Sequence, residues 1–140
     1  MAGYSSTPLH RKLGIKPGHR VALLGAPAGF EATLDGLPGD VVIRYGLAAD
    51  APTDVIVLFV TERHELQARL DEVRRGMAQA GGFWVAWPKR ASKVPTDITE
   101  DVVREVALPT GLVDNKVCAI DEIWSGLRLV IRRENRLPAG

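Results

Sequence analysis

The sequence has little cysteine, few aromatic residues, no excess of charge of either sign and no long apolar run. Its single cysteine, Cys118, cannot form an internal disulfide. Lysine and arginine number 18 against 17 aspartate and glutamate residues, so there is no overall basic field of the kind that binds nucleic acid. No stretch reaches the roughly 18 apolar residues of a membrane span, and the amino-terminal residues form no apolar signal core. We therefore expect a cytoplasmic protein with no membrane association, and these features disfavour a nucleic-acid partner.

What the sequence does contain is enough apolar material for one core. The chain has 140 residues, of which 46% are hydrophobic and 25% charged. A chain of this size closes a core without metals or disulfides. We expect a single domain over residues 1–140, with a flexible arm at 1–12 and a flexible tail at 135–140.

Short apolar runs alternate with helical patterns along the chain. Helices are predicted over 30–37, after Thr61 up to Gly81–Gly82, and from an N-cap at Thr99 to near Pro109. In the second of these, apolar residues recur at steps of four, three and four from Leu66 to Met77. The predicted strands are Arg20–Leu24, Val41–Tyr45, Asp54–Val60, Phe83–Trp87, Val113–Ile120 and Leu127–Arg133.

This alternation predicts the α/β class. We expect a Rossmann-like three-layer sandwich, with a mostly parallel sheet of order 2-1-3-4-6-5 closed by a C-terminal antiparallel hairpin. Over roughly residues 12 to 133 the pattern resembles the class I methyltransferase form of this fold. In that family the loop after the first strand reads acidic-x-Gly-x-Gly-x-Gly and holds S-adenosylmethionine.

The chain departs from that family at the loop itself. Gly25 and Gly29 match, but Leu23 stands at the acidic position and Pro27 replaces the middle glycine. Proline also removes a backbone donor. The second strand ends in Arg44-Tyr45 where the resemblance implies an acid for the ribose hydroxyls, so Asp50 or Asp54 would have to substitute from another loop.

Whole segments are also similar to a family of short bacterial proteins, domain of unknown function 3052. The resemblance implies a bacterial cytoplasmic setting and the same fold, and it supplies no catalytic residues. The segments that carry it are Leu13–Gly18, Gly82–Lys89, Val94–Asp97 and Asp114–Ala119.

The loops after the first, third and fourth strands meet at the carboxyl edge of such a sheet, where ligands bind. We expect a pocket there for a small anionic ligand, with the lysines meeting its charge. The alternative is that the glycines only make turns, Trp87 packs against the sheet and the lysines are solvated. The candidate ligand-binding residues are Gly25, Pro27, Gly29, Phe30, Thr61, Trp87, Lys89, Lys93 and Asp97.

The closing hairpin is a candidate partner-binding edge. Asn115, Lys116 and Trp124 interrupt it with polar and aromatic groups, and a strand edge can pair with a second copy or another protein. A homodimer or a protein partner is therefore one interpretation. A Trp124 folded onto the sheet would instead be part of the core.

No residue pattern predicts a catalytic centre or a metal site. His10, His19 and His64 have no paired spacing for one metal ion. Ser125 lies in no nucleophile motif, and Cys118 lies in an apolar strand that suggests burial.

From these patterns we expect a non-enzymatic module that binds a small ligand or a protein in a regulatory role, with a degenerate cofactor loop and no assigned cofactor. The alternative is an enzyme or sensor that uses S-adenosylmethionine or a nucleotide through an atypical cradle. Nucleic-acid binding ranks below both, because only Lys89, Arg90 and Lys93 beside Trp87 favour it.

Overall fold

The computed structural model describes residues 7–47 and 51–137. Asp50 and the outer parts of the predicted arm and tail lie outside the described residues. The helices are α1 (Leu9–Lys12), α2 (Arg63–Gly76) and α3 (Glu100–Ala107), and single 3-10 turns cover Phe30–Leu34, Arg90–Ser92, Leu108–Thr110 and Arg133–Asn135. The strands are β1 (Arg20–Leu24), β2 (Val42–Arg44), β3 (Thr53–Phe59), β4 (Met77–Pro88), β5 (Leu112–Ala119) and β6 (Trp124–Ile131).

The six strands form one mixed sheet of order β2-β1-β3-β4-β6-β5. β1 pairs in parallel with β2 and β3, and β3 pairs in parallel with β4. β6 runs antiparallel to both β4 and β5. The predicted fold class and strand order are confirmed.

Each face of the sheet carries its own apolar core, because β1 and β3 are apolar at almost every position. On one face Leu24, Ile56 and Leu58 pack with α2 and α3. On the other face Trp84 is fully buried, and its indole Nε1 donates to the backbone oxygen of Leu13, just after α1, at 3.1 Å. The sheet is therefore covered on both sides at its centre.

The junction of α2 and β4 differs from the prediction. The helix ends at Gly76, and Gly81–Gly82 lie inside β4, opposite a register shift between Thr53 and Val55 of β3. A side chain at Gly81 would place its Cβ 2.8 Å from the oxygen of Asp54, so glycine serves close strand packing there and is not a helix terminator. Met77, at helical spacing in the sequence, is a buried strand residue.

The start of α2 also differs. The N-cap is Glu62, not Thr61, and it forms a capping box in which the Glu65 side chain folds back onto the N-cap backbone. The spacing of Glu65 and Arg69 predicts an ion pair four residues apart on α2. Because Glu65 is engaged in the capping box, Arg69 binds Glu72 instead.

In the described part of the chain, no helix has the length and apolar content needed to span a membrane.

Candidate functional site

A cavity of about 380 Å³ opens at the carboxyl ends of β1 and β3, where the strand order reverses. Such a crevice is the usual ligand position in open α/β sheets. The end of β3 and the first turns of α2 form most of its wall. It is lined by Gly25, Leu58, Phe59, Val60, His64, Glu65, Ala68 and Arg69.

The loop after β1 forms the other wall of this cavity. Gly25 has φ +69°, and a Cβ there would lie 3.0 Å from the backbone oxygen of Phe59, so the loop approaches β3 as only glycine allows. Gly29 has φ +81° with open space around it. The Phe30 amide donates to the Pro27 oxygen at 3.1 Å, which closes a turn around Gly29. Both glycines occupy conformations that a side chain would strain.

Glu65 supplies a fixed negative charge to the cavity. Its Oε1 accepts from the backbone amides of Thr61 and Glu62, both at 3.0 Å, and from the Thr61 hydroxyl at 3.3 Å. The Thr61 amide bond is the main cause that holds the pKa of Glu65 below its ordinary value. The carboxylate is therefore ionised at neutral pH. Because all three bonds end on Oε1, Oε2 remains to accept from a ligand.

The sequence prediction did not include Glu65. The available signal was a glutamate three residues after a candidate N-cap, which normally indicates capping alone. No feature of the sequence indicates that this carboxylate also lines the crevice beside Gly25.

A second carboxylate stands at the end of β2. The Tyr45 hydroxyl donates to Glu31 of the turn after β1, and this bond is the main cause that raises the pKa of Tyr45. Asp54 does not substitute there, because its Oδ2 accepts from the Arg20 amide at 2.8 Å, at the opposite edge of the sheet. The chain thus brings an acid to the end of β2 from another element.

A separate cavity of about 370 Å³ lies after β4, and Trp87, Arg90, Lys93, Thr96 and Glu100 are among its lining residues. Trp87 is 8% exposed and also packs in the core. The candidate residues of this loop are therefore not all on one surface: Lys93 and Trp87 line the cavity, and Lys89 and Asp97 are outside its lining.

Asp97 instead fixes the loop to the start of α2. Its Oδ1 accepts from the Arg63 amide at 2.6 Å. The hydroxyl of Thr96 donates to the Thr61 oxygen, also at 2.6 Å. Thr61 therefore bonds both to Glu65 of the first cavity and to the wall of the second.

Phe30 lies in the core on the other face of the sheet. It is 4% exposed and meets the Phe59 ring edge-on at 4.8 Å between centroids. Phe59 in turn meets Trp124 at 5.1 Å. Trp124 is half-buried in this aromatic row, which agrees with the core alternative for that residue.

The remaining hairpin candidates lie at the β5 edge. Asn115 and Lys116 are exposed beside an irregularity in the pairing of β5 with β6. The Lys116 amine donates to the Lys12 oxygen at 3.2 Å, so it is engaged within the chain.

Metal and thiol chemistry have no visible centre in the described segments. Among residues 7–47 and 51–137 no group of three His, Cys, Asp or Glu could hold a metal ion. Cys118 is half-buried rather than buried, and loss of solvent around it raises the pKa of its thiol.

The fold is that of known S-adenosylmethionine-dependent methyltransferases. A ribosomal protein L11 methylase from Lactobacillus delbrueckii subsp. bulgaricus matches with a TM-score of 0.61 and 12% identity over 89% of this chain and 75% of that one. Magnesium protoporphyrin IX methyltransferase from Synechocystis PCC 6803, solved with bound S-adenosylmethionine, matches at 0.59 and 10% over 88% and 74%. A methyltransferase from Aquifex aeolicus matches at 0.58 and 15% over 86% and 87%.

No protein-family model and no curated protein sequence matches the chain. The solved structures confirm the resemblance to class I methyltransferases at the level of architecture. Membership of the domain-of-unknown-function family stays a prediction.

These neighbours contradict the expectation of a non-enzymatic module, and the leaning against an enzyme was wrong by the same comparison. They agree better with the alternative, an enzyme or sensor that uses S-adenosylmethionine or a nucleotide through an atypical cradle. The physical reason for the error is that the motif was judged at Leu23, Pro27 and Arg44-Tyr45, without the side chains that other elements contribute. Carboxylates from α2 and from the turn after β1 stand near the positions where the motif lacks them.

Proposed function

We propose that the chain is a methyltransferase-like enzyme that binds S-adenosylmethionine in the 380 Å³ cavity beside Gly25. The observation that carries this proposal is the ionised carboxylate of Glu65 lining the crevice at the switch of strand order. The cavity volume lies within the roughly 300–1,000 Å³ of small-molecule sites.

The chemistry of the cofactor fits most of these residues. S-adenosylmethionine carries positive charge on its sulfur and its amino group, and Oε2 of Glu65 can accept from or pair with such a cation. Gly25 and Gly29 allow close approach of the backbone, and Glu31 with Tyr45 offers partners for ribose hydroxyls. Pro27 does not fit, because it offers no amide donor.

When bound, the cofactor supplies an electrophilic methyl group. The chain's own part is to orient it and to receive an acceptor molecule, for which we propose the neighbouring cavity lined by Trp87, Arg90 and Lys93. Thr61 supports this pairing, since it hydrogen-bonds to Glu65 and to Thr96. We assign no catalytic base.

The direct test is binding of S-adenosylmethionine and S-adenosylhomocysteine to the purified protein by isothermal titration calorimetry, with native mass spectrometry for a retained adenosyl compound. We expect saturable one-to-one binding and a rise in melting temperature with ligand concentration. An unmoved melting temperature together with no heat of binding for either compound would overturn the proposal.

Two variants on α2 distinguish a contribution of Glu65 to binding from a general effect of negative charge. Glu65→Gln keeps an acceptor for the capping box but removes the charge, so we expect the fold to persist and the affinity to fall about tenfold. Asp71→Asn removes an exposed carboxylate from the same helix, where it pairs with Arg75 at 3.3 Å, and should leave affinity unchanged. Equal losses in both variants would remove Glu65 from the site.

Two further proposals come from the sequence patterns. We propose a cytoplasmic protein of the short bacterial family that its segments resemble, and an association of chains or of a partner through the β5–β6 hairpin. Sedimentation of the wild type beside Asn115→Lys tests the second: a dimer that the added charge does not weaken would exclude this edge.

A further inference from the structure

A third cavity, of about 240 Å³, lies at the amino ends of β1 and β3, at the opposite edge of the sheet from the proposed cofactor site. The segment between α1 and β1 forms one side, and the irregular first part of β4 forms the other. The side chains that line it include Lys16, His19, Asp54 and Arg128.

Arg128 is the unusual member of this group. It is half-buried, and although its backbone pairs within the sheet, its guanidinium makes no hydrogen bond or ion pair with any residue in the described part of the chain. Asp54 shares the cavity but lies beyond ion-pair distance, and Arg136 adds a further positive charge nearby. A guanidinium presents five donors, and those of Arg128 keep contact with solvent, so they are free to meet a ligand.

The strand opposite is shaped around this guanidinium. A Cβ on Gly82 would lie 2.5 Å from Nε and 2.8 Å from Cζ of Arg128, so the flat group rests directly against the glycine backbone. Gly81 is equally constrained, with a Cβ position 2.8 Å from the Asp54 oxygen. Gly82 therefore leaves the room that the guanidinium occupies, while Gly81 allows the close approach of the strand backbones.

Lys16 and His19 add hydrogen-bond donors to the cavity, and Asp54 adds an acceptor. The Lys16 amide donates to Nδ1 of His19 at 3.1 Å, so the neutral ring carries its proton on Nε2. The Lys16 side chain brings a further positive charge to the cavity wall. Asp54 uses Oδ2 for the Arg20 amide and leaves Oδ1 to accept from a hydroxyl.

We propose that this cavity binds a small phosphorylated compound, whose phosphate takes the fork of Arg128 with support from Lys16 and His19. Arginine matches phosphate through two parallel hydrogen bonds, which is the arrangement that an unpaired and positioned guanidinium allows. Asp54 accepts from a hydroxyl on the rest of the molecule. The site is independent of the proposed cofactor cavity.

The test is a titration of the full chain with inorganic phosphate and, separately, with glycerol 3-phosphate, at constant ionic strength, followed by amide NMR shifts. We expect saturable shifts at Lys16, His19, Gly81 and Gly82. Tighter binding of the ester identifies a phosphorylated metabolite as the ligand class, and equal binding identifies free phosphate. No saturable shift at these amides with either compound overturns the site.

Variants distinguish phosphate binding at Arg128 from a general attraction to positive charge. Arg128→Gln should weaken binding about tenfold or more, whereas Arg132→Gln, further along the chain and exposed, should not change it. Gly82→Ala keeps the net charge but displaces the guanidinium, and should weaken binding as Arg128→Gln does. Binding that falls equally in Arg128→Gln and Arg132→Gln, or persists in both Arg128→Gln and Gly82→Ala, overturns the proposal. Affinity for S-adenosylhomocysteine, measured on the same variants, should remain unchanged.

Discussion

At the scale of single residues, Gly25 is a position where the backbone constrains the amino acid in two ways. Its φ of +69° and the 3.0 Å that would separate a Cβ from the Phe59 oxygen act together. We expect Gly25→Ala to lower the free energy of unfolding by about 1–3 kcal/mol, measured by urea denaturation. Gly39→Ala is the control, because that glycine has open space and no positive φ, and it should leave stability unchanged or slightly higher. Equal stability of the two variants would contradict this role for Gly25.

Pro27 gives a second residue-scale prediction. Pro27→Ala restores a backbone amide in the loop between Gly25 and Gly29, and we expect affinity for S-adenosylhomocysteine to rise by about three- to tenfold, because one neutral hydrogen bond contributes about 1 kcal/mol. Calorimetry on both proteins measures it. Weaker binding by the variant would show that the rigid ring, rather than the lost donor, matters at this position.

The positions of individual candidate residues were only partly predictable. Gly25 and Trp87 line cavities at strand ends as expected from the topology, whereas Gly29 lies outside the cavity lining, and their binding roles stay predictions. Glu65 could not, since its reach into the cavity depends on how the first turn of α2 sits beside β1. Arg128 occupies the polar side of an alternating strand, and only the tertiary structure shows that its guanidinium has no partner among the described residues.

At the scale of elements, the stability of α3 depends on its N-cap residue, Thr99. Thr99 accepts from the Val102 amide at 3.2 Å, as its position before Glu100 predicted. Thr99→Ala should reduce the free energy of unfolding by about 1 kcal/mol, whereas Thr99→Ser should retain nearly all of it. Thermal or urea unfolding followed by circular dichroism measures both, and equal losses in the two variants would exclude capping as the cause.

The boundary between α2 and β4 was not predicted correctly, because it depends on a contact distant in sequence. Apolar spacing continued in helical steps through Met77, and the glycine pair looked like a terminator. The chain leaves the helix at Gly76 because strand pairing with β3 begins at once, through Thr53 opposite Met77. Pairing with a distant strand overrides a local pattern, and no local stretch of sequence contains that information.

At the scale of the whole molecule, the pKa of Glu65 makes stability depend on pH. Its folded pKa lies below the ordinary 4.5, so its contribution is fully present above that value and is lost as the pH falls through the folded pKa. We expect the stability advantage of the wild type over Glu65→Gln to shrink over that acidic range. Urea denaturation at a series of pH values measures it, and a constant difference would exclude the charge as its source. Solvent exposure of the group keeps the effect small.

The strand order followed from the sequence because strand length, β-branching and connection length leave few parallel arrangements. The function did not follow, because it depends on side chains that separate elements bring to one edge. The fold neighbours establish the architecture, and the proposed function is argued from the side chains at that edge.

The bond from Trp84 to the Leu13 oxygen joins residues 71 positions apart. During synthesis the amino-terminal segment therefore emerges long before its partner strand, and it cannot dock until β4 has left the ribosome and joined the sheet. Since contacts distant in sequence form late, the segment around Leu13 should be made well before β4 and yet settle only after it.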